Sequence, residues 1–202
     1  MKTKLASILI FLVSVLLLSS CSVKINLKLQ QDGTVNITFN GGAGAAFSKM
    51  VVSASGGEEN FNAKDITDEL LKSGFTNVKT EVKGVSDIKI TMTDGNKKSY
   101  IFTSGFVSAE DKKLKINISR KNLKAFYDSA NEQVQMILDL FLAPVFNDEE
   151  MTQEEYLETI GTFYGASAAE EIRESKIEFV VENPSGEKSF FTYKMADLLC
   201  VL

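Results

Sequence analysis

The stretch VKINLKLQQDGTVNITF, residues 23 to 39, alternates apolar and polar side chains on both sides of a Gln31-Asp32-Gly33 turn. Successive side chains of a strand point to opposite faces. Val23, Ile25, Leu27 and Leu29 therefore form one buried face, and Lys24, Asn26 and Lys28 one wet face. Val35, Ile37 and Phe39 repeat the pattern on the return, so the spacing predicts a β-hairpin with one face in a core. Similar runs recur at Val78-Thr80-Val82, Ile88-Ile90-Met92, Tyr100-Phe102 and Leu114-Ile116-Ile118, with Gly84 and Asp94-Gly95-Asn96 as turns. Connections this short leave no room for a parallel crossover, which makes the sheet antiparallel by expectation. A last hairpin, Ile177-Phe179-Val181 and Phe191-Tyr193, turns through Asn183-Pro184-Ser185-Gly186.

Helical patterns lie between these runs. Asn62 is placed to cap a helix that buries Ile66 and Leu70 and ends at Gly74. From Ser119 the period becomes helical, with Leu123, Phe126, Tyr127, Ala130, Val134, Ile137, Leu138 and Phe141 on one stripe before Pro144. Asp139 falls on the opposite polar strip with Lys121, Asp128, Glu132 and Gln135, and is read as solvated. Thr152 with Glu155 forms a capping box, and Met151 with Tyr156 a hydrophobic staple. That helix faces Leu157, Ile160 and Phe163 inward and stops at Gly165; Ser167 with Glu170 caps a shorter one. A terminal helical piece carries Cys200. The expected fold class is α+β: an antiparallel sheet of about six to eight strands, with a helical insertion at 119–172 packed on or beside it.

The N-terminus reads differently. Lys2 and Lys4 precede an apolar run from Leu5 to Leu18. A membrane-spanning helix needs roughly 20 apolar residues, so the shorter run suits a secretory signal. Leu18-Ser19-Ser20-Cys21 resembles the lipobox of bacterial lipoproteins, which signal peptidase II reads. The resemblance implies a signal peptide at 1–20 and a single domain at 21–202 whose first residue, Cys21, carries the lipid. Each buried acyl methylene contributes about 0.8 kcal/mol, so two or three palmitate-like chains anchor firmly where one does not. A lipidated cysteine followed by a strand, Asp32-Gly33-Thr34 and a second strand also resembles the start of LppM-type lipoproteins. The Lys, Asn and Glu content with the Leu-Ser-Ser-Cys box resembles lipoproteins of diderm bacteria such as spirochaetes. Only Ser22 separates Cys21 from the first strand, which places the domain directly on the bilayer.

Composition prunes the chemistry. The 202-residue chain has 22 basic and 27 acidic residues, a net charge of −5, which gives no footprint for nucleic acid. It has no histidine, which removes the usual proton shuttle and histidine-dependent nucleophiles. Cys200 lies in an apolar run and reads as an inert core thiol; with Cys21 lipidated, no intrachain disulfide can form. Gly41, Gly42 and Gly44 lack the lysine and hydroxyl of a phosphate loop, and Phe47 stands where a dinucleotide fold needs its third glycine. Asn147-Asp148-Glu149-Glu150 lacks the ligand spacing of a calcium loop and reads as a helix start. No cofactor and no metal are expected.

The expected function is that of a non-enzymatic, membrane-anchored lipoprotein of the bacterial cell envelope, on the periplasmic or surface side. It binds a protein partner or organises the envelope. A carrier or sensor of lipid or another apolar ligand is the alternative, and a carboxylate-based hydrolase the third reading. From Val134 to Phe146 the apolar arc widens to roughly 260°, where a surface helix needs little more than about 100°. Leu140, Leu142, Val145 and Phe146, with Tyr156, are the candidate apolar binding surface, against the simpler expectation that this helix end is sandwiched between the sheet and the next helix.

Overall fold

A computed structural model describes residues 23–42, 44–46, 48–49, 62–83, 87–95, 99–110, 113–129, 135 and 151–201. The fold is α+β. Six strands form the main sheet in the order β3-β4-β2-β1-β7-β8: β1 Val23–Leu29, β2 Val35–Gly41, β3 Thr76–Val82, β4 Ile88–Asp94, β7 Lys176–Glu182 and β8 Lys188–Lys194. A separate hairpin pairs β5 Val107–Glu110 with β6 Lys113–Ile116. The helices are α1 Ala63–Lys72, α2 Tyr100–Thr103, α3 Arg120–Ser129, α4 Gln153–Tyr164, α5 Ala166–Glu174 and α6 Met195–Val201.

The opening hairpin forms in the register its alternation demands, Leu27 opposite Ile37 and Ile25 opposite Phe39. Its turn is held by Asp32, whose carboxylate accepts from the Thr34 N–H at 2.9 Å and hydroxyl at 2.7 Å, while Gly33 takes φ +83°. The buried face of β1, β2, β4 and β7 joins Ile66, Leu70, Tyr156, Leu157, Ile160, Ala168, Ile172, Met195 and Leu198 in one core. The helices thus cover one face of the sheet. Across β1, β2 and β4 the other face is polar, with Asn26, Thr38 and Thr91 aligned.

Packing is tight where β1 begins and β2 ends. A methyl group on Gly41 would sit 2.8 Å from Val23 Cγ2. Gly41 therefore has a packing reason at the end of β2, and the Ala46 amide beyond it donates to the Glu171 carboxylate at 2.8 Å. The predicted caps of α1 and α4 are present. Asn62 Oδ1 accepts from the Lys64 N–H at 2.9 Å, and Thr152 and Glu155 bond reciprocally. Gly74 and Gly165 both terminate helices at φ +92°.

Several expectations change. Four of the five pairings in the main sheet are antiparallel, but β1 and β7 run parallel. β1 and β7 are far apart in sequence, so the short-connection rule that makes the hairpins antiparallel does not reach this pair. Tyr100 to Phe102 belong to α2, and the Ser99 N–H ahead of it donates to the Asp94 side chain at 3.3 Å. Leu114 and Ile116 lie in β6, outside the main sheet. Ser167 lies inside α5, whose N-cap is Gly165 without a side-chain bond.

Candidate functional site

The two edges of the main sheet are built differently. β3 slips register between Thr76 and Lys79, and Asn77 takes φ +53°. α1 packs against it, with Thr67 Oγ1 donating to Thr80 Oγ1 at 2.9 Å. Bulges and covering elements are how proteins keep a sheet edge from recruiting another strand. β8 has neither. It pairs with β7 at every position from Lys188 to Lys194 without a slip, and all seven of its residues are exposed.

Two hydrogen bonds fix which backbone groups β8 offers. The Asn183 N–H donates to the Glu187 carbonyl at 3.0 Å, and the Met195 N–H donates to the Ser175 carbonyl at 2.9 Å. Bonded pairs recur at every second residue of an antiparallel ladder. Counted inward from both ends, Ser189, Phe191 and Tyr193 bond to β7. Lys188, Phe190, Thr192 and Lys194 turn their N–H and C=O groups outward.

The side chains on this edge are aromatic on both faces. Phe191 and Tyr193 lie on the core side, opposite Phe179 and Ile177, yet remain 43% and 41% exposed because β8 lies at the margin of the helical layer. Tyr193 meets Phe179 edge-on, with ring centroids 6.2 Å apart. Phe190 projects from the other face beside Val180 and is 71% exposed. Ser189 to Tyr193 is thus an uncharged, aromatic, β-favouring run on an open edge, which in a soluble domain marks either a recognition strand or an aggregation hazard. Its far end is tied down electrostatically. Glu182 holds Lys28 at 2.6 Å and Lys188 at 3.5 Å, and the Lys28 hydrogen bond lowers the Glu182 pKa.

Two clefts open elsewhere. One of about 560 Å³ lies between the hairpin turns, lined by Lys28, Gln30, Asp32, Glu182, Asn183 and Ser185 among others. The second, of about 520 Å³, runs between α4 and α5. There Arg173 bridges Glu154 at 3.5 Å and also pairs with Glu170. Asp32, Asp68, Glu110, Glu155 and Glu182 have displaced pKa values, and all are displaced downward. The causes are hydrogen bonds from the Thr34 backbone, Lys64, Lys115, the Thr152 backbone and Lys28 respectively. A carboxylic acid acting as proton donor near neutral pH needs the opposite shift.

Of the residues singled out from sequence, Cys21, Leu140, Leu142, Val145 and Phe146 lie outside the described residues, as do Asp139, Asn147 to Glu150 and the side chain of Cys200. Tyr156 is described and is 1% exposed, a core side chain on α4 that lines no open surface. The β8 edge was not singled out. Its signal was present in Phe190-Phe191, where two adjacent aromatic residues break the alternation of a strand with one buried face. Among the described residues no three Asp, Glu or Cys side chains are grouped to hold a metal ion, and no helix is long and apolar enough to cross a membrane. The chain matches no protein-family model, no curated protein and no solved structure.

Proposed function

We propose that this chain is a lipid-anchored, non-enzymatic protein of the bacterial cell envelope that recruits a protein partner by strand addition along β8. The observation that carries the reading is the contrast between the edges: β3 is bulged and packed by a helix, while β8 is regular, aromatic and open. Strand addition draws affinity from main-chain hydrogen bonds and specificity from side chains at alternate positions. The outward groups of Phe190 and Thr192 supply the first, and Phe190 on one face with Phe191 on the other supply the second. The anchor rests on the apolar N-terminal run and the Leu18-Ser19-Ser20-Cys21 box.

A photoreactive phenylalanine analogue placed at Phe190 tests the partner surface in living cells. It should crosslink a defined envelope protein, and Thr192→Pro should abolish the crosslink. Crosslinking no stronger than from Thr38, in the middle of the polar face, would refute the reading. Cys21→Ser should separately abolish labelling by palmitate.

A further inference from the structure

Four of the five charge-on-charge pairs in the main sheet's described register join opposite signs: Lys24 with Glu178, Lys28 with Glu182, Glu81 with Lys89, and Glu182 with Lys188. The exception is Lys176 opposite Lys194, where β7 begins and β8 ends. Like charges placed directly across two strands repel. Both lysines are exposed, and neither makes an ion pair with a described residue. Lys176 and Lys194 thus stand side by side at one corner of the sheet with no opposite charge across the ladder.

The position of that corner gives the pair a meaning. β1 and β7 are parallel with Val23 opposite Ile177, so the chain enters β1 at the level of Lys176. Cys21 precedes Val23 by two residues, and an extended chain covers at most about 3.6 Å per residue, which keeps Cys21 within about 7 Å of Val23. The half-exposed Tyr193 ring stands on the same rung as Val23 and Ile177. Tyrosine and lysine are the side chains that settle at a bilayer's headgroup level. Lys83, also at this end of the sheet, is matched by Asp87 at 3.7 Å. The acid nearest the pair on its own face, Glu178, faces Lys24 at 4.0 Å, so three lysines share one carboxylate there, and Glu174 and Asp197 belong to α5 and α6.

We infer that this corner, Lys176 and Lys194 with Tyr193, docks on an anionic bilayer surface beside the acyl anchor, holding the sheet end-on and the Asn183–Gly186 turn away from the membrane. The inference rests on the lipid-anchor reading and adds to it a lipid charge preference and an orientation. Phe190 and Thr192 then stand above the headgroups, where an envelope partner can reach them.

The chain contains no tryptophan, so a single introduced one is a clean reporter. The acylated full protein carrying Tyr193→Trp, and a second version carrying Ser185→Trp at the far turn, would be reconstituted into vesicles. These contain equal parts phosphatidylcholine and phosphatidylglycerol, with or without chain-brominated lipid. The expected result is a blue-shifted emission quenched by brominated lipid for Tyr193→Trp and neither change for Ser185→Trp. Adding Lys176→Gln and Lys194→Gln should lower the docked-to-undocked ratio about five-fold for each lysine. These exposed changes remove a repulsive pair and leave folding intact, which circular dichroism checks. Mass spectrometry of the N-terminal peptide separates the two claims. An unmodified Cys21 removes the anchor and the inference with it, whereas an acylated protein with equal quenching at both positions, or none at Tyr193→Trp, overturns the inference alone.

Discussion

Replacing Thr192 with proline should barely disturb the fold, whereas the same change one residue later should damage it severely. The Thr192 N–H points away from β7, so its loss removes no internal hydrogen bond. Proline is tolerated on an edge strand where the missing N–H faces solvent, and its preceding residue, Phe191, already has the extended backbone that proline favours. The remaining cost is the shift of φ toward −65°, about 1 kcal/mol. Tyr193→Pro instead deletes the N–H that bonds Ile177 in the β7 ladder and leaves a carbonyl unpaired at the edge of the core. That adds about 1–3 kcal/mol, and loss of the ring contact with Phe179 adds about 0.5–1.5 kcal/mol. Tyr193→Ala and Thr192→Ala subtract the side-chain parts. Urea denaturation at constant m-value should then place the two proline variants about 2 kcal/mol apart, a factor of about 30 in the folding constant. Equal losses would refute the ladder phase, and with it the claim that Phe190 and Thr192 present free backbone groups.

Tyr156→Ala should cost about 3–5 kcal/mol in chemical denaturation, because the ring is fully buried; a loss under about 1 kcal/mol would return Tyr156 to the surface. Gly41→Ala should lower stability by about 1–3 kcal/mol because its methyl group lands on Val23, and Val23→Ala in the same chain should recover part of the loss. Stability should fall on acidification. Asp32, Asp68, Glu110, Glu155 and Glu182 have folded pKa values below their ordinary ones, so their contribution is complete above the ordinary carboxylate range and is lost as pH drops through the folded values. Melting curves across this range should show Glu155→Gln with a shallower acid limb than the parent chain.

Local rules carried the sequence reading far where neighbours in sequence are neighbours in space. The β1–β2 hairpin, the Asn62 cap and the Thr152–Glu155 capping box each depend on residues a few positions apart, and each forms as its spacing predicts. The parallel β1–β7 pair does not, because it joins segments some 150 residues apart that no periodicity links. Tyr100 to Phe102 was too short a run to distinguish strand from helix, and the Ser99 N–H just before it bonds a carboxylate five residues further back. The apolar character of Tyr156 was legible, but not its direction: the same residue type serves a core or a surface, and neighbouring elements choose between them. The β8 edge was hidden for a related reason. Its composition was visible, but its place at the end of the strand order was not.

The most direct test of the account is amide hydrogen exchange along β8, measured on the acylated protein alone and again in its native membranes. In the isolated protein, Phe190 and Thr192 should exchange rapidly, and Phe191 and Tyr193 slowly, as the ladder phase requires. In native membranes the Phe190 and Thr192 amides should become protected to the level of their neighbours, as an added strand takes up their hydrogen bonds. Unchanged fast exchange at Phe190 and Thr192 in membranes that retain the protein would contradict the proposal that β8 receives a partner.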